Sequence, residues 1–188
     1  MTPLPATLSG SGTGSGGLCA WRLERSTYAD DWSLAEGAYR FGGRWSPPGV
    51  RVIYAALEPA TAVLEVAVHK GFAALDAVPH ELLQLRLEPD AAHVVQPSDI
   101  PNPHWLRPSI PTPQQQEFGW ALLKQHGLLV LPSVVCGHAW NCLIDVRVLS
   151  AKALMLRERF ALDPRLAAGV RAEPQALAAE GRKRRRVS

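Results

Sequence analysis

The chain has 188 residues, 47% of them hydrophobic, with 20 Lys and Arg against 17 Asp and Glu for a formal charge of +3. That length supports one domain with a sizeable core, and no run approaches the roughly 18 consecutive apolar residues of a membrane span. Nor does the charge mark a nucleic-acid reader. Arg182, Lys183, Arg184, Arg185 and Arg186 contribute five positive charges, leaving the rest of the chain at −2, whereas a folded reader carries its basic residues on the domain itself.

Residues 1–18, rich in Gly and Ser, read as a flexible arm with almost nothing to bury. They lack the charged start and apolar middle of a secretory signal, so the expected location is cytoplasmic. Cys19, Cys136 and Cys142 are odd in number and form no CxxC pair, which argues for free thiols over a disulfide framework or a zinc site. A strand is expected from Cys19 through Arg25, with Trp21 and Leu23 on one face and Arg22 on the other. An arginine so placed most often lies on a solvated face. Residues 26–41 hold Tyr28, Trp32, Tyr39 and Phe41 among small and acidic residues. They read as a loop covering a site, with most of these aromatics in the core.

From Gly42 to His69 the sequence reads as turn, strand and helix. Gly42-Gly43 and Pro47-Pro48-Gly49 bend the chain, Val52-Ile53-Tyr54 has strand propensity, and Pro59 suits a helix start. The helix carries Ala62, Glu65, Val66 and His69 on one face, and Glu65 stands alone among Val63, Leu64, Val66, Ala67 and Val68. A carboxylate in such company costs several kcal/mol unless it is paired or functional. Further on, His80–Glu88 alternates as a strand with one wet face, and His93–Gln96 reads as a short one. Six prolines between Pro97 and Pro113 exclude regular structure there, with Trp105 as the expected anchor. Thr112 caps a helix from Pro113 to Gln125 with an expected buried stripe of Phe118, Ala121, Leu122 and Gln125, and Gly127 ends it. Strands follow at Leu128–Leu131, Asn141–Val148 and Ala153–Phe160. Ser133, fixed by Pro132, either aims its hydroxyl into a pocket or bonds its own backbone at a turn. Residues 167–188 form an Ala-, Glu- and Arg-rich basic tail.

P-loop, GxSxG, HExxH and GxGxxG motifs are absent, and the six histidines show no ligand spacing, so no catalytic metal is expected. There remain Arg22, Arg44, Tyr54, Glu65 and Ser133, each presented from a largely apolar setting. Arginine pairs with phosphate oxygens, tyrosine packs on a flat ring, and a carboxylate stabilises positive charge developing on a sugar carbon. These residues suit cleavage of a nicotinamide–ribose bond, and nearly as well a generic nucleotide binder.

The order of the elements resembles the RES-domain family, toxin components of bacterial toxin–antitoxin pairs. The resemblance rests on Trp21-Arg22, Gly42-Gly43-Arg44-Trp45-Ser46-Pro47, Val52-Ile53-Tyr54-Ala55, Ala62-Val63-Leu64-Glu65 with His69, Gly119-Trp120, Leu131-Pro132-Ser133 and Asp163-Pro164-Arg165-Leu166. It covers residues 19–166. It implies an α+β, ADP-ribosyltransferase-like fold, a split β core with flanking helices, and an enzyme that consumes NAD⁺. The reaction implied is hydrolysis or phosphorolysis, or ADP-ribosyl transfer to a protein; a binding module without turnover is a further alternative. By position, Arg22 and Arg44 would hold the phosphates or ribose, and Tyr54 would pack on nicotinamide. Glu65 would orient the ribose and stabilise the transition state, and Ser133 and Asn141 would complete the site. The sequence departs from the family at Ile144-Asp145-Val146, where Asn-Pro and then His-Pro are usual. The implied partner is an Xre-type antitoxin that blocks the pocket and itself carries the DNA-binding domain.

Overall fold

A computed structural model of the chain describes residues 17–107, 111–163 and 165–166; the expected arm up to residue 16 and the tail from 167 lie outside the described residues. The first strand, β1 (Leu18–Arg25), includes Leu18, which the sequence assigns to the arm. Its side chain is buried with Ala20 under the sheet, and that burial carries the strand one residue further. Residues 26–41 are not a loop. They form two 3-10 turns at Ser26–Tyr28 and Trp32–Leu34 and a short helix, α1 (Glu36–Phe41). Of the four aromatics in this stretch, Trp32 alone is in the core; Tyr28, Tyr39 and Phe41 are exposed, against expectation. The Tyr39 ring instead lies under the guanidinium of Arg51, 4.4 Å from its centroid.

The chain then runs through β2 (Val52–Ala56), α2 (Pro59–Lys70), α3 (Phe72–Ala77), β3 (His80–Leu87) and β4 (Ala92–Val94). It ends with α4 (Pro113–His126), β5 (Leu128–Pro132), β6 (Trp140–Asp145) and β7 (Leu154–Phe160). The strands make one mixed sheet in the order β4-β5-β6-β2-β1-β3-β7, antiparallel except for the β4–β5 pair. β1 pairs with β3 along its whole length, and β2 pairs with β6 over all five of its residues. Between β1 and β2 the register is a single pair, Trp21 with Ala56. The sheet therefore divides there into two halves joined at one point.

Strand alternation assigns the two faces. On one, Ile53 and Ala55 meet Val130, Cys142, Ile144, Leu18 and Ala20 in the main core. On the other, Val52, Leu129, Leu131 and Leu143 pack beneath α4 together with Tyr54 and Trp45. Each fully buried aliphatic side chain contributes about 1.5–3 kcal/mol, so both halves are held chiefly by these two layers. α2 lies on β1 through Ala67, with Leu23, Leu75 and Leu82. Of the expected face, Ala62 is buried, Glu65 and Val66 are half-buried and His69 is exposed; Leu64 and Val68 are exposed as well.

Three other expectations shift. In α4 the fully buried residues are Gln115, Gly119 and Leu123, while Ala121 and Gln125 face solvent. A hydrophobic pattern gives glycine no weight, yet at Gly119 this helix lies directly on the turn before β2: a Cβ there would lie 2.4 Å from the carbonyl oxygen of Trp45. β6 stops at Asp145, not Val148, because the Asp145 carboxylate accepts the backbone N–H of Arg147 at 2.9 Å and starts a 3-10 turn at Val146–Val148. The short strand expected at His93–Gln96 runs instead from Ala92 to Val94.

Candidate active site

The turn before β2 is built by its glycines. Gly42 has φ +68°, a conformation that disfavours side chains, and Gly43 N–H closes the turn on the Ser46 carbonyl at 2.9 Å. A Cβ on Gly43 would fall 2.4 Å from the Tyr54 hydroxyl, so that glycine is what admits the phenol. The Tyr54 oxygen accepts the Trp45 backbone N–H at 3.2 Å and is hydrogen-bonded to Ser46 Oγ at 2.8 Å. Burial pushes its pKa up to about 12, so the phenol is neutral at physiological pH.

Arg44 projects from the same turn. Its Nη1 donates to the Trp105 carbonyl at 3.1 Å, and the Trp105 ring packs on Trp45 with centroids 6.2 Å apart, so the proline-rich strap is anchored where expected. Burial lowers the pKa of Arg44, and the nearby negative charge of Glu65 opposes that shift. Glu65, from α2, is half-buried. Its Oε1 accepts hydrogen bonds from Ser133 Oγ at 2.8 Å and Asn141 Nδ2 at 2.6 Å. The turn reading of Ser133 holds. The buried hydroxyl also accepts the backbone N–H groups of Val135 and Cys136, each at 3.1 Å, while its own proton goes to Glu65. Asn141 sits on β6 opposite Ala56 of β2 and Leu131 of β5, and its Oδ1 is buried with no hydrogen-bond partner among the described residues.

Arg22 occupies the seam. Where β1 and β2 cease to pair, its Nη1 donates to the Tyr54 carbonyl at 2.9 Å, standing in for a missing rung of the ladder. Its Nε and Nη2 engage the Glu24 carboxylate. The structure thus joins Glu65, Ser133 and Asn141 directly. It brings Arg44 within their electrostatic reach, seats Tyr54 under the Arg44 turn, and attaches Arg22 through the main chain of β2. Glu24 was legible as a partner, two residues from Arg22 on one strand face. The Trp105 carbonyl, Ser46 and Gln116, which donates to the Gly43 carbonyl at 2.8 Å, had no such signal. A pocket of about 280 Å³ lined by Ile100, Asn102, Thr112, Gln115 and Phe118 contains none of the site residues.

Chemically, one oxygen of a carboxylate is fixed by two donors while its charge remains in a partly desolvated setting beside a guanidinium. Such a carboxylate can accept from hydroxyl groups and stabilise a nearby cation. An α+β protein with a mixed sheet split at one register pair, and a doubly hydrogen-bonded glutamate on the helix beside that split, is the class that fold and site define together.

The chain belongs to the RES domain family, whose sequence profile matches residues 20–165. It is 33% identical over 159 residues to the Prs ADP-ribosylating toxin of Sphingobium sp. (strain YBL2), covering 78% of this chain and 94% of that protein. It is 33% identical over 154 residues to Toxin Res of Pseudomonas putida, covering 79% and 99%. Among solved structures, the M. tuberculosis MbcT–MbcA toxin–antitoxin complex has a chain of the same fold, with TM-score 0.54, 18% identity, and 82% of this chain and 90% of that one covered.

Proposed function

We propose that this protein is the toxin of a type II toxin–antitoxin pair and that it consumes NAD⁺ by cleaving the nicotinamide–ribose bond. The observation that carries the reading is Glu65, a half-buried carboxylate held by Ser133 and Asn141 within the field of Arg44. NAD⁺ has what those groups complement: two phosphates, a ribose diol and a flat cationic ring.

In this reading Arg44 and Arg22 hold the dinucleotide's phosphates or ribose, and the Tyr54 ring packs beside nicotinamide. With its pKa raised, Tyr54 acts as a surface and not as a proton donor. The glycosidic bond breaks with its electron pair moving onto the nicotinamide nitrogen, which leaves neutral. Positive charge then develops on the ribose carbon and ring oxygen, where the Glu65 carboxylate stabilises it and its free oxygen orients the ribose hydroxyls. Ser133 and Asn141 act through Glu65 by fixing its rotamer, and Asn141 Oδ1 offers an acceptor to a ligand hydroxyl or amide. The nucleophile is water or phosphate. The name of the Sphingobium relative favours a second reading, with a protein side chain as acceptor of the ADP-ribose.

The partner in this account is an Xre-type antitoxin that occludes the site, and toxin and antitoxin form a hetero-oligomer. Purified protein with NAD⁺ labelled in its adenine half tests the whole reading. Label recovered as ADP-ribose, as its phosphate, or on a protein band of added extract supports it and names the acceptor. NAD⁺ recovered intact from buffer alone, with phosphate and with added extract removes it.

A further inference from the structure

We infer that Gln116 is a positioning residue for Arg44, acting from the first turns of α4 through the main chain of the glycine turn. This inference rests on the proposed NAD⁺ reading only in the part of its test that uses turnover. Gln116 Nε2 donates to the Gly43 carbonyl at 2.8 Å, across 73 residues of chain. That carbonyl belongs to the peptide unit shared by Gly43 and Arg44, so the bond fixes the plane from which the Arg44 side chain leaves.

The same helix touches the next residue of the turn. Gly119 lies three positions from Gln116, hence on the same face, and its backbone meets the Trp45 carbonyl so closely that no side chain fits between. Gly43 itself cannot supply rigidity. It has no side chain to pack, and it must stay a glycine because the Tyr54 hydroxyl fills its Cβ position. A residue with that freedom, carrying a functional arginine next to it, needs its conformation set from outside. Gln116 does this from one side, Tyr54 from another through the Trp45 N–H, and the Trp105 carbonyl fixes the far end of the guanidinium. The Gln116 side chain bonds the turn through a main-chain carbonyl and not through any of the site's side chains, which makes it separable by mutation.

The test uses the full chain with Gln116→Glu, nearly isosteric but lacking the donor, and Gln116→Met, which lacks polarity altogether. If Gln116 positions Arg44, both variants keep the wild-type melting temperature within a few degrees. Both raise KM for NAD⁺ about tenfold, as the loss of one hydrogen bond allows, and leave kcat within threefold. In an Arg44→Ala background the same changes leave KM unmoved, because there is no guanidinium left to position. Amide hydrogen exchange across residues 42–46 provides the second readout: it quickens in both variants if the bond sets the turn. Unchanged KM and unchanged exchange overturn the inference, and so does an effect on KM that simply adds to that of Arg44→Ala. A wild-type protein that does not turn NAD⁺ over defeats the functional reading alone. Exchange at 42–46 then decides the positioning role by itself, quickened exchange upholding it and unaltered exchange overturning it.

Discussion

Ser133 Oγ donates to Glu65 Oε1 at 2.8 Å while accepting two backbone N–H groups from Val135 and Cys136. One hydroxyl thus closes a turn and orients the acid on α2, 68 residues away in sequence. Replacing it affects both. Ser133→Ala strands two N–H groups in a half-buried turn and removes one of the two donors to Glu65 Oε1, which costs about 1–3 kcal/mol of stability. Denaturant unfolding of the variant should show that loss, and turnover should fall even where the protein remains folded. A variant of unchanged stability would mean that water replaces the hydroxyl at no cost.

Gly119 tests how closely α4 must approach the Arg44 turn. A Cβ would stand 2.4 Å from the Trp45 carbonyl and 2.7 Å from its Cβ, neither of which is a flexible side-chain end. Gly119→Ala should therefore destabilise despite the higher helix propensity of alanine, by about 1–3 kcal/mol. Thermal unfolding measures it. A gain in melting temperature would show that the helix can back away freely.

The neutral state of Tyr54 gives a pH signature. Its folded pKa, about 12, lies above the value of 10.0 for a free phenol. The unfolded chain therefore releases this proton first as pH rises, so the associated stability is fully present below pH 10.0 and is lost towards pH 12. Ultraviolet titration should find a tyrosine ionising well above pH 10.0, and Tyr54→Phe should remove that late step. Late ionisation that persists in Tyr54→Phe would assign it elsewhere.

How much of this was legible in the sequence depends on the range of the interaction. Arg44, Tyr54 and Glu65 stood out locally, as polar groups in apolar or glycine-bounded runs, and the strands β2, β3 and β5 followed from propensity and alternation. Main-chain acceptors leave no such trace: nothing in the letters says that the Trp105 carbonyl holds Arg44 or that the Gly43 carbonyl receives Gln116. Gly119 misled the reading of α4 for the same reason, since close approach of two backbones is invisible to a hydrophobicity pattern. The stretch at 26–41 was misjudged because its helical pieces are short, with α1 covering only Glu36–Phe41, and most of its aromatics remain outside the core.

Arg22 offers a contrast to Arg44. Its guanidinium is already engaged by Glu24 and by the Tyr54 carbonyl, so part of its role is to close the seam between the sheet halves. Arg22→Lys keeps the charge but not the fork that bridges carboxylate and carbonyl. It should lower both stability and turnover, whereas Arg44→Lys should chiefly raise KM for NAD⁺. Parallel unfolding and steady-state measurements separate the two, and identical profiles would argue against this division.

The central claim is that the Glu65 carboxylate drives loss of nicotinamide from NAD⁺, and nicotinamide release by wild type and Glu65→Gln measures it most directly. The variant retains a side-chain oxygen for Ser133 and Asn141 but lacks the negative charge. The account predicts nicotinamide release by the wild type, slowed roughly 100- to 1000-fold in a folded Glu65→Gln protein. Equal release rates from the two proteins, or none from the wild type, would contradict it.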